Sequence, residues 1–113
     1  MKRLLSLLAL LAVPAVLAQA QSAGNPERGK QAFERMLCSA CHGHEGQGGS
    51  AGARIGVKPP ALPAFLAYVR RPAGGMPPFT AKVISDADLT DIHAYLASRP
   101  APPPLKDIPL LNQ

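Results

Sequence analysis

The 113-residue chain has no tryptophan, and three Phe and two Tyr are its only aromatic side chains. Two cysteines allow one disulfide at most. No alternating apolar–polar stretch of useful strand length occurs, which argues against a sheet as the main architecture. No run of Lys and Arg is interleaved with aromatics, so nucleic acid is not an expected partner. The length allows one domain and rules out a multidomain enzyme. Charged residues make up 17% and hydrophobic residues 47%, which is not the balance of a disordered chain.

Much of the apolar content lies at the N-terminus. Met1-Lys2-Arg3 precedes a stretch from Leu4 to Ala18 that only Ser6 and Pro14 interrupt, and Ala18-Gln19-Ala20 offers small residues to a signal peptidase. That order is a secretory signal over residues 1–20. Its apolar run is shorter than the roughly 20 residues of a spanning helix. The expectation is cleavage, export to the periplasm and no stable membrane span afterwards; an uncleaved anchor is the competing reading. A polar lead-in (21–25), a domain (26–99) and a Pro-rich extended tail (100–113) follow. Without Lys2 and Arg3, ten basic and seven acidic side chains leave a net charge of +3. This mild excess fits a surface that docks acidic partners by steering.

Ten glycines and twelve of the thirteen prolines lie beyond the signal. A domain this small, with five aromatics, rarely builds enough core alone and needs a disulfide, a metal, a cofactor or a partner.

Asn25-Pro26-Glu27 reads as an N-cap, a first-position proline and a first-turn acid. Gly29, Ala32, Phe33, Met36 and Leu37 then recur at helical steps, predicting a helix over 26–37. Six glycines between 43 and 56 mark a loop. Its Gly46-x-Gly48-x-x-Ala51 matches a dinucleotide fingerprint only formally, because no strand precedes it. A short helix is expected over 64–70, with Phe65, Leu66 and Val69 inward. Residues 71–84 hold three prolines and two glycines and are irregular. Ser85-x-x-Asp88 resembles a capping box and opens a helix over 86–98, with Leu89, Ile92, Tyr95 and Leu96 as its apolar stripe.

Cys38-Ser39-Ala40-Cys41-His42 is C-x-x-C-H, the attachment motif of c-type haem. Two thiols about a turn apart suit the two vinyl groups on one porphyrin edge, and the following imidazole can reach the iron. A structural zinc site would want a second Cys/His pair, which His44 and His93 do not make. A thioredoxin-like pair would want a βαβ unit. A plain disulfide would leave the undersized core unexplained.

On these residues the chain resembles the class I (small monohaem) c-type cytochromes over nearly all of its length past the signal. Gly29 and Phe33 resemble the family's N-terminal helix signature, and Ile92 and Tyr95 its C-terminal one. The resemblance implies an all-α fold with crossing N- and C-terminal helices and long loops around one covalently bound haem c. It implies His42 and Met76 as axial ligands, the latter in Gly74-Gly75-Met76-Pro77-Pro78. It also implies Pro60, in Pro60-Ala61-Leu62, as acceptor of the His42 Nδ1–H, with Pro59 as a rival and Leu62 as a haem contact. Tyr68, Arg70 and Arg71 are candidate partners of a haem propionate. Met36 is expected in the core, His44 on the surface, and His93 facing solvent or capping.

Ligation from both faces leaves no open coordination position, so the expected function is one-electron transfer rather than catalysis. Lys58, Lys82 and Arg54 are expected to flank the haem edge for partner docking. The alternative is an electron-accepting subunit of a periplasmic dehydrogenase or oxidase, suggested by Leu105, Ile108, Leu110 and Leu111 in the tail. A five-coordinate haem that senses gas or reduces peroxide is a third reading, and it requires Met76 off the iron.

Overall fold

A computed structural model describes residues 23–111; the signal segment 1–20 lies outside the described residues. Four helices follow in order: α1 (Pro26–Arg35), α2 (Cys38–His42), α3 (Leu62–Arg70) and α4 (Asp86–Ala97). Two 3₁₀ turns, Leu105–Asp107 and Pro109–Leu111, end the described chain, and no strand occurs among the described residues. The fold is all-α.

The Asn25 side chain caps α1 by accepting the Arg28 N–H at 2.8 Å, with Pro26 beside it in the first turn. The helix stops at Arg35, two residues short of the expected 37, because Leu37 turns into the left-handed region at φ 59°. Ser85 caps α4 by accepting the Asp88 N–H at 3.0 Å. The Ser85 hydroxyl in turn donates to Asp88 Oδ2 at 2.8 Å, so the shorter acid closes the box on the hydroxyl rather than on the backbone. α3 begins at Leu62, two residues before the expected 64, since Pro63 suits the first turn of a helix.

α1 and α4 pack backbone to backbone. A Cβ on Gly29 would stand 1.9 Å from the Asp91 carbonyl oxygen, so no other residue fits there. The Asp91 side chain, which sequence reading overlooked, is buried at the same contact. It accepts the Asn25 N–H at 2.6 Å and Arg28 Nε at 2.8 Å. These bonds hold its carboxyl below the usual carboxylate range, the Arg28 hydrogen bond contributing most. Phe33 and Tyr95 meet across the interface with ring centroids 5.7 Å apart. With Ala32, Ile92 and Leu96 they form a core that Phe65, Val69, Ile84 and Leu89 extend.

α3 is tied to the irregular segment after it by Arg70. Its guanidinium donates to the Phe79 carbonyl at 2.8 Å, to the Ile84 carbonyl at 2.9 Å and to Asp86. The Phe79 N–H donates to the Val69 carbonyl at 3.1 Å. The stretch carrying Met76 is thus anchored just beyond it.

The tail departs from the extended expectation. Past Pro104 the chain closes turns, with Asp107 N–H on the Pro104 carbonyl at 2.9 Å and Leu111 N–H on the Ile108 carbonyl at 3.0 Å. Leu105, Leu110 and Leu111 remain 73%, 79% and 61% exposed.

Candidate functional site

The helices and the 73–79 segment enclose an open cleft of about 530 Å³. That volume lies within the range of small-molecule and cofactor sites. Its lining is mostly apolar. Phe33 comes from α1 and Met36 from the turn that ends it, Phe65 and Val69 from α3, Phe79 and Ile84 from the following segment, and Leu89 and Ile92 from α4. Chemistry-bearing groups join them: Cys38, Cys41 and His42 of α2, Tyr68 of α3, and Met76.

The Leu37 turn allows α2 to start afresh, and its five residues place both thiols and the imidazole on the same cleft. Cys41 is exposed and Cys38 half-buried. Burial pushes the Cys38 thiol up to about 11, so it stays protonated at neutral pH.

His42 is held by its Nδ1, which lies 2.7 Å from the Ala53 carbonyl oxygen. That leaves Nε2 as the nitrogen able to bind a metal. Gly52 makes the approach possible. A Cβ there would stand 2.8 Å from the Cys41 carbonyl oxygen and 3.0 Å from His42 Nδ1. The surrounding loop is folded by its own backbone, with Gly48 N–H on the His42 carbonyl at 2.7 Å and Ile55 N–H on the Gly46 carbonyl at 2.8 Å.

Pro60 is therefore not the acceptor. Its carbonyl is engaged by His93 Nε2 at 2.8 Å, although Pro60 itself lines the cleft. His93 neither faces solvent freely nor caps a helix. It is half-buried, with its ring edge-on to Phe65 at 5.4 Å. Ala53-Arg54-Ile55 takes the place expected of Pro60-Ala61-Leu62, and Ile55 lines the cleft where Leu62 does not. The only sequence signal for it was a small residue two before an aliphatic one, directly after Gly52.

Arg70 and Arg71 are also absent from the lining. Arg70 spends its donors on two carbonyls and Asp86, and Arg71 ends α3 in solvent. Tyr68 does line the cleft, with its hydroxyl donating to the Ala73 carbonyl at 3.3 Å. Met36 is half-buried against the core, and His44 is exposed with Nδ1 2.9 Å from Glu34 Oε1. Lys58, Lys82 and Arg54 are exposed and outside the lining.

This donor set suits a covalently held porphyrin. Two thiols and an oriented imidazole share one apolar cavity with a soft thioether. Among the described residues no group of three or more His, Cys, Asp and Glu could hold a bare metal ion.

The family model for cytochrome C oxidase, cbb3-type, subunit III matches residues 24–96, more than half of the chain. Neither a curated protein nor a solved structure gives a significant match.

Proposed function

The chain belongs to the cytochrome c oxidase cbb3-type subunit III family, whose domains carry covalently attached haem c, and we propose that this member is an exported, periplasmic one-electron carrier. Haem c supplies an iron centre that gains or loses one electron. Cys38 and Cys41 would hold it by thioether bonds. His42 Nε2 and the Met76 sulfur would ligate the iron, with Ala53 fixing the imidazole ring. A thioether ligand would favour ferrous iron, and the mostly apolar lining would disfavour the extra charge of ferric iron; both would raise the potential. With His42 and Met76 both on the iron, no place would remain there for a substrate.

The observation that supports this reading is that Cys38, Cys41, His42 and Met76 line one cleft. The test is expression with a haem-attachment system, followed by haem staining after denaturing electrophoresis. The chain should retain haem, and its N-terminus should be Gln21. Reduced wild-type protein should resist carbon monoxide, and Met76→Ala should bind it. Identical spectra and carbon monoxide reactivity in the two proteins would exclude Met76 as the ligand.

A second reading is favoured by the family's description as an oxidase subunit and by the exposed leucines of the tail. Here the same haem accepts electrons inside a dehydrogenase or oxidase complex, and catalysis belongs to the larger partner. The size at which the covalent haem migrates in a native extract separates the two. Monomer mass supports the carrier, and a much larger species supports the subunit.

A further inference from the structure

Lys58-Pro59-Pro60 lies on the connection from the glycine loop to α3. Neither proline has an N–H to donate, so at these two positions the backbone can be fastened only through its carbonyl oxygens. The donor must come from another element. α4 runs alongside, and its Leu96 carbonyl accepts the Val57 N–H at 2.8 Å. One turn earlier on α4, His93 Nε2 lies 2.8 Å from the Pro60 carbonyl oxygen. A carbonyl only accepts, so Nε2 carries a proton and donates it. The backbone N–H groups inside α4 are spent on the helix itself, which leaves this bond to a side chain.

His93 stands on the apolar stripe of α4. It follows Leu89 by four residues and precedes Leu96 by three, and both of those are buried. A half-buried polar ring there needs a partner for its N–H, and Pro60 is the one it has. The ring also stands edge-on to Phe65, with centroids 5.4 Å apart. Pro60 and Phe65 line the cleft, whereas His93 does not.

We propose that His93 is a positioning residue for the iron site: from outside the cleft it holds Pro60 and Phe65 in the wall, and so sets how much water reaches the cofactor. The inference rests on the electron-carrier reading above. An apolar shell controls solvent access and local dielectric, and through them the reduction potential. Without the His93 bond the Pro60 carbonyl turns to water, the connection loosens, and the more polar cleft favours ferric iron.

Three variants of the haem-bearing protein separate the bond from the bulk. His93→Gln keeps a donor, since its amide nitrogen has the reach of the imidazole Nε2. His93→Phe keeps a ring against Phe65 but has no donor, and His93→Leu keeps only apolar bulk. In His93→Phe and His93→Leu the ferrous-to-ferric ratio in a fixed redox buffer should fall about threefold. The Phe65 N–H, which bonds the Ala61 carbonyl at 3.0 Å, should exchange with solvent about fivefold faster. In NMR spectra of the reduced protein the Pro60 protons should lose part of their porphyrin-induced shift. His93→Gln should stay within about twofold of wild type on the first two readings and keep the Pro60 shifts. A merely structural His93 would lower the unfolding free energy and leave the potential and the Pro60 shifts untouched, and that outcome overturns the inference alone. So does a His93→Gln protein that matches His93→Phe. A chain that carries no covalent haem would overturn the carrier reading and this inference with it.

Discussion

His42 Nδ1 lies 2.7 Å from the carbonyl oxygen of Ala53, eleven residues downstream in a glycine-rich loop. That bond selects the ring nitrogen left for iron and sets the donor strength of the imidazole. It depends on Gly52, whose absent side chain lets the loop lie against α2. Gly52→Ala should push the loop away and weaken the bond. The reduction potential should then rise, because a less basic imidazole stabilises ferric iron less. Potentiometry, with NMR of the His42 Nδ1 proton, checks both. Pro60→Ala should leave that proton resonance in place, since the Pro60 carbonyl serves His93; a shift comparable to that of Gly52→Ala would return the role to Pro60.

The same logic of close approach applies to Gly29. A methyl group there must displace the Asp91 carbonyl. Gly29→Ala should destabilise the haem-bearing protein by about 3 kcal/mol, measured by urea unfolding. A loss below about 1 kcal/mol would show that the α1–α4 contact yields easily.

Asp91 gives the acid limb of stability a named source. Its folded-state pKa is depressed below the ordinary 3.8, chiefly by the Arg28 hydrogen bond. The folded state therefore binds fewer protons than the unfolded one near that pH. The stabilisation is complete above the unfolded value and is lost as pH falls through the folded one. Asp91→Asn should be less stable than wild type at pH 7 and lose less on going to pH 3. Unfolding curves at the two pH values test this, and parallel losses would exclude Asp91 as a source. Glu34, lowered by hydrogen bonds from His44 and Ser39, acts in the same direction.

Arg70 should act on structure. Removing its guanidinium leaves the Phe79 and Ile84 carbonyls without that donor. Arg70→Met should cost about 2–3 kcal/mol, whereas Asp86→Ala should cost less than about 1 kcal/mol. By loosening the segment that carries Met76, Arg70→Met should also increase carbon monoxide binding to the reduced protein. A variant of wild-type stability with a changed potential would instead indicate a propionate contact.

Deleting residues 105–113 should move the melting temperature by less than about 2 °C, because Leu105, Leu110 and Leu111 are mostly exposed and none of the tail belongs to the buried core. Loss of a larger haem-bearing species on native gels, with the melting temperature unchanged, would assign the tail to a partner.

Local chemistry made the haem motif, the caps at Asn25 and Ser85 and the separate helices readable in the amino-acid order. Each depends on residues within a few positions of one another. C-x-x-C-H brings its thiols and imidazole together within one turn, whatever the rest of the chain does. The amino-acid order places Gly29 on an apolar helix face, but does not name Asp91 as the residue it meets. The tertiary structure decided which carbonyl holds His42, where the Arg70 donors go and that Asp91 is buried. Those outcomes depend on how glycine- and proline-rich loops close in space. Several carbonyls compete there for one donor, and the winner is set by packing between segments far apart in the chain. Pro60-x-Leu62 and Ala53-x-Ile55 offer the same kind of local pattern. Only the fold, by giving Pro60 to His93 and fitting Gly52 against Cys41, distinguishes them.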